Sequence, residues 1–282
     1  MLRSSNPVLS RRDVFTPSKP AGGQQFGQSP FLEQGGYNDP YGYGRTGSGL
    51  QAPVEGRMTL DDVITRTAIT MAILVAAAAV SWWGISSGIV PESAMMPALI
   101  LSAIVGFISA FVVTIRHRVS PPLVLVYAAV EGVFIGMLSR LFEFAYNGIV
   151  AQAVVGTFVA AGVTLAAYKI FNIRVGSKFR KVVVIATAAF AVTMLVNLVF
   201  ALFGINLGLR GGIGTFGPLS VLVSAIGVTL AVLNLVLDFD YIERGVRMGA
   251  PASQSWLGAF GLTVTMVWLY VEILRILSYL RR

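Results

Sequence analysis

From MTLDDVITRTA onward the chain repeats one feature seven times, an apolar run of about twenty residues with a short polar segment on either side. A helix of that length crosses the hydrocarbon core of a bilayer. Lipid offers the backbone no hydrogen-bond partners, so a spanning segment must satisfy its own amides, as a helix does. The first run passes through ITMAILVAAAAVSWW and ends at Trp82 and Trp83, which suit a membrane interface. The other six cover roughly 95–115, 122–142, 150–169, 182–204, 218–240 and 256–277. Only 12% of the residues are charged, against about 25% in average soluble domains. The expected fold is therefore all-α, a polytopic membrane protein with a seven-transmembrane-helix bundle spanning 57–282.

Residues 1–56 are of another kind. AGGQQFGQSPFLEQGGYNDPYGYGRTGSG has no apolar period and cannot bury enough surface to offset its ordering entropy, so a disordered cytoplasmic tail is expected. It reads either as a docking segment or as a solubilising tail. Ser10-Arg11-Arg12-Asp13-Val14-Phe15 resembles a twin-arginine signal, but no apolar stretch follows it. Thr59 with Asp62 three residues on resembles a capping box, which places a helix start there.

Several function classes are excluded. There is no cysteine, hence no disulfide, thiol nucleophile or zinc–cysteine site, and His117 is the single histidine. The net charge of +8 sits in short segments beside apolar runs, where it sets topology and meets anionic lipid; nucleic acid is not an expected partner. GIGTFG at 212–217 matches a nucleotide-binding glycine pattern, but it follows no strand. No enzymatic activity and no cofactor are expected. An intramembrane aspartyl protease would need a GxGD motif, which does not accompany Asp238.

Basic residues orient the chain. The tail and start of the first span hold seven Lys or Arg, and further groups follow spans two, four and six. Intervening loops are poor in them, with Arg140 near one and Arg210 in another. The positive-inside rule makes the N-terminus cytoplasmic. Seven full crossings would place Arg281 outside, so span seven could instead be re-entrant or shifted.

An ionisable group within a span is expensive and normally marks a pathway or relay. In VLNLVLDFDYIERGVRMG, Asp240 has Arg244 four residues on, and Glu243 has Arg247. Both pairs run in the favourable order and predict a solvated, self-neutralised helix face. Asp238 points about 200° away from Asp240 and stacks one turn above Asn234, a polar stripe directed into the bundle. Asp238 is thus the leading candidate for a proton-sensitive gate; the alternative is a capping aspartate at the headgroups. Glu131 lies about 14 Å into span three with no basic residue within a turn, and reads as a gating acid or a buried, protonated structural one. Glu272, in WLYVEILRIL, has Arg275 three residues on as a local partner. Acids brought together in a low-dielectric site cannot all ionise near neutral pH, so such a pair can sense protons. With carbonyls and water it can also bind a hard cation such as calcium.

LDFDYIERGV and LTVTMVWLYVEILRILSYL resemble the last two spans of the transmembrane Bax inhibitor motif family, and MTLDDVITRTA and the basic loop after span two agree. The resemblance covers about 57–280 and leaves the tail out. It implies a bundle with the last helix central, and a bacterial plasma-membrane protein. It also implies a pH-sensitive calcium leak gated by acids on spans six and seven, matched here by Asp238 and Glu272, with calcium as permeant ion. An arginine latch from span two is implied, matched by Arg116 or Arg118. Position 272 is Glu where Asp is more familiar, and the interval from 238 is long, so Glu131 could join or replace Glu272. The family also includes bacterial members similar to modulators of a membrane-embedded AAA protease, which makes an interaction protein the alternative.

Overall fold

The computed structural model describes residues 56–115, 120–171, 173, 175–205, 207–211 and 217–281. The expected disordered tail, Arg116 and Arg118, and most of the GIGTFG loop lie outside the described residues.

Among the described residues the chain forms seven helices and no strand: α1 (Leu60–Ser86), α2 (Glu92–Ile115), α3 (Pro121–Ala145), α4 (Ile149–Ile170), α5 (Ser177–Leu202), α6 (Pro218–Arg247) and α7 (Gln254–Leu280). All seven are long and apolar enough to cross a membrane. The shortest, at 22 residues, spans about 33 Å at 1.5 Å per residue, more than a typical hydrocarbon core. α7 is one uninterrupted helix of 27 residues. A re-entrant last span is therefore not what forms: no break interrupts the hydrogen-bond ladder.

Local signals set the helix ends. Thr59 caps α1, its hydroxyl accepting from the Asp62 amide at 3.1 Å, while its Oγ1–H donates to the Asp62 carboxylate at 2.8 Å. Thr59→Ala is expected to cost about 1 kcal/mol, measured by unfolding in detergent, with Thr59→Ser close to wild type. α6 ends at Arg247 with Met248 as its C-cap, and Gly249 follows with φ of +64°. Its amide bonds Val246 O and the next amide, Ala250, bonds Gly245 O. This closing turn needs a left-handed residue, which glycine supplies without strain.

α7 is the central helix. It packs against α1, α3, α4 and α6, and its buried residues, Ala259, Thr263, Leu269 and Leu274 among them, face in several directions. α2 lies on α3 and α5 on α6. α5 leaves Val182, Ile185, Val192 and Leu198 exposed, a surface suited to lipid. α1 and α3 meet at backbone distance. A Cβ added at Gly132 would collide with Leu74 O, and one at Gly136 with Ala78 O and Ser81 Oγ. Gly132 and Gly136, four residues apart, thus mark a close contact of the kind that lets membrane helices approach.

The segment before α1 is clamped to the α6–α7 turn. Met58 N donates to Ala250 O and Ala252 N to Gly56 O, both at 2.7 Å, and Met58 is buried against Val63 and Ile242. Arg66 adds a bond to Ala252 O and lies 5.3 Å over the Trp256 ring.

Candidate functional site

The most buried carboxylate is Glu272, with no exposure at all. It projects from α7 toward α6, which accommodates it with Gly227; a Cβ there would lie 2.7 Å from the Glu272 Cδ. A buried carboxylate needs a cation or several donors. Arg210 supplies both. Its Nη2 donates to Oε1 at 2.7 Å and its Nη1 to Oε2 at 3.2 Å, a two-pronged pair. Trp268 Nε1 adds a bond to Oε1 at 3.3 Å.

Arg210 comes from the segment joining α5 to α6. Gly208, at φ +69°, turns the chain, and its carbonyl accepts from Ser220 Oγ at 3.2 Å. The Arg210 side chain then runs back into the bundle, with its guanidinium 5.7 Å from the Phe190 ring centre and Nε 2.9 Å from Met194 Sδ. Arg275 stands one turn from Glu272 but does not ion-pair with it; its Nε is buried without a hydrogen-bond partner. The expected local Glu272–Arg275 pair is thus replaced by a long-range one, because Glu272 turns toward α6 and the incoming loop.

These groups line a cavity of about 650 Å³ among α2, α3, α5 and α7. Glu131 faces it from α3. Gly106 of α2 makes room for that carboxylate, which has no hydrogen bond or ion pair among the described residues. A second cavity of about 340 Å³ adjoins the outer turns of α7 and is lined by Gly211, Arg275, Ser278 and Tyr279. Arg275 belongs to both walls, whereas Arg210 and Glu272 line only the larger cavity.

Asp238 lies elsewhere. Thr265 Oγ1 of α7 donates to it at 2.7 Å, and Gly261 packs beside its carboxylate. On α6, Gly227 marks the level of Glu272, and eleven residues separate it from Asp238, about 16 Å along the axis. Asp238 and Glu272 therefore do not share a site, and no cation can be held between them. No group of three or more His, Cys, Asp or Glu that could hold a metal occurs among the described residues. Two contacts, Tyr127 with Phe260 and Ser139 with Tyr270, set α3 and α7 parallel, which puts Glu131 nearer the level of Thr265.

Two sequence expectations need correction. Asn234 stands one turn from Asp238 on α6 but turns to another helix: its Nδ2 donates to Thr187 Oγ1 at 2.7 Å and to Leu230 O at 2.8 Å, tying α6 to α5, while Asp238 bonds α7. Nor is Asp240 solvated. It is 3% exposed and held by Arg180 of α5 at 3.0 Å and Arg244 at 2.9 Å. Arg244 also bonds Val175 O, so this cluster pins the α4–α5 connection to α6. Packing of α5 over the end of α6 covers a face that helical spacing alone leaves open. Glu243 and Arg247 do form the exposed pair expected, and Glu243 also accepts from Tyr168 Oη at 2.6 Å.

A family model described as Bax inhibitor 1 like matches residues 6–282. The chain belongs to the Bax inhibitor 1 like family. That match begins at residue 6, so nearly all of the N-terminal tail, which the resemblance over about 57–280 left out, falls within it. No curated protein matches the chain. Seven apolar helices and the family together make this Bax inhibitor 1 like chain an integral membrane protein.

Arg210 is the residue that sequence reasoning passed over as a topology marker. The available signal was its setting: a lone arginine in the glycine-rich segment INLGLRGG, on the side of the chain poor in basic residues.

Proposed function

We propose that this protein is a proton-sensitive calcium leak of the plasma membrane, held shut by Arg210 on Glu272. The observation that carries the reading is the buried, two-pronged ion pair in the wall of the larger cavity, beside Arg275, which both cavities share. Carboxylate oxygens suit calcium, a hard cation. Glu131 offers an unpartnered one inside the larger cavity, and Glu272 offers a second once Arg210 withdraws. Asp238 lies beyond Glu272, nearer the level of Glu131 and toward the basic end of the bundle, which is the cytoplasmic end by charge. The latch thus moves from Asp238, and from Arg116 or Arg118, to Glu272 and Arg210.

The direction follows from the pair. The charge on Glu272 is what holds Arg210, so removing that charge opens the route. In proteoliposomes Glu272→Gln is expected to raise calcium flux well above that of the wild type at the same pH. Asp238→Asn leaves the flux at the wild-type level, since Asp238 bonds the neutral Thr265 hydroxyl and not Arg210. Glu272→Gln flux equal to wild type overturns the reading.

A second reading has one observation in its favour. The bridge from residues 56–58 to the α6–α7 turn ties the segment just before α1 to the turn that leads into the central helix. A partner acting on the tail, such as a membrane-embedded AAA protease, would reach α7 through it.

A further inference from the structure

A separate cavity of about 420 Å³ lies on the other side of α7, between α1 and α4, with α3 behind it. Its volume is that of an ordinary small-molecule site. Its walls are almost wholly apolar, and its rim is formed by exposed Val75, Val154 and Phe158. It therefore opens sideways, toward lipid. From Met71 to Trp82 it follows eleven residues of α1, about 16 Å, which is half of a roughly 30 Å hydrocarbon core. A slot of that length accepts one acyl chain from one leaflet.

A charge stands just beyond one end of the slot. Trp82 lines that end, and Arg140 of α3, outside the wall, lies 5.8 Å over the Trp82 ring. The Arg140 Nε is buried without a hydrogen-bond partner, and no carboxylate pairs with Arg140 among the described residues. Arg140 stands five residues, about 8 Å, from the end of α3, the depth of lipid headgroups. A half-buried guanidinium whose Nε has no partner, at headgroup level and beside an aromatic face, suits an anion with oxygen acceptors. We propose that this cleft binds one anionic phospholipid, with an acyl chain in the slot and the phosphate on Arg140 above Trp82.

Native mass spectrometry of the full chain, equilibrated with phosphatidylglycerol or phosphatidylcholine, tests this. The wild type is expected to retain phosphatidylglycerol about fivefold better, the share of one arginine near a membrane surface. Arg140→Gln should bring the two lipids level, and Arg140→Lys should restore part of the preference. Ala79→Phe, at an exposed position of the slot wall, should lower retention of both. A photoreactive side chain in place of Ala79 should cross-link to lipid. The proposal is overturned if wild type and Arg140→Gln retain the two lipids alike, or if the cross-link joins Ala79 to a peptide of this chain.

Discussion

Glu272→Ala is expected to destabilise the bundle by about 3–5 kcal/mol, the range for removing one partner of a buried ion pair. Glu272 is completely buried, and the Arg210 side chain is 14% exposed. Taking away the carboxylate leaves Arg210 without its anion and Arg275 beside a second uncompensated cation. Unfolding in mixed detergent measures the loss, and a change within about 1 kcal/mol of wild type would contradict the assignment. A double variant separates a bad vacancy from a valuable pair. Arg210→Met with Glu272→Leu removes both charges at similar volume and should recover most of the stability, because well-packed apolar residues often replace a buried pair at no cost. The same carboxylate anchors the segment before α6. Trypsin should therefore cut after Arg210 faster in Glu272→Ala than in the wild type.

Gly136→Val is expected to cost about 3 kcal/mol, the upper part of the range for overpacking. The added side chain would strike Ala78 O and Ser81 Oγ on α1, and neither can withdraw without parting α1 from α3. Ser81 also donates to Val133 O at 3.3 Å, a bond across the same contact that would be lost. The control is Gly162 of α4, where a Cβ would meet nothing within 4 Å. Gly162→Ala should stabilise by up to about 1 kcal/mol through helix propensity. Equal effects at the two sites, read from the same unfolding curves, would show that the α1–α3 contact is not tight.

Both variants concern residues whose type is plain in the sequence and whose neighbours are not. Gly132 and Gly136 carry the four-residue spacing that permits close approach, yet the same spacing says nothing of which helix comes near. Glu272 stands out as an acid in an apolar run, and its nearest base in sequence is Arg275. The carboxylate takes Arg210 instead, 62 residues away, because α7 is rotated so that Glu272 faces Gly227 and the loop beyond it.

The sequence by itself determined the number, length and approximate limits of the seven helices. Hydrophobic transfer acts residue by residue along a span, so twenty apolar residues carry the message without any partner. Start signals such as Thr59–Asp62 are equally local. The tertiary structure alone decided which polar groups meet. Asp238 turned to Thr265, Asn234 to Thr187, Asp240 to Arg180 and Glu272 to Arg210. Those choices depend on the rotation and register of one helix against another. They are set by the sum of many weak contacts along each interface, which no local stretch of residues contains.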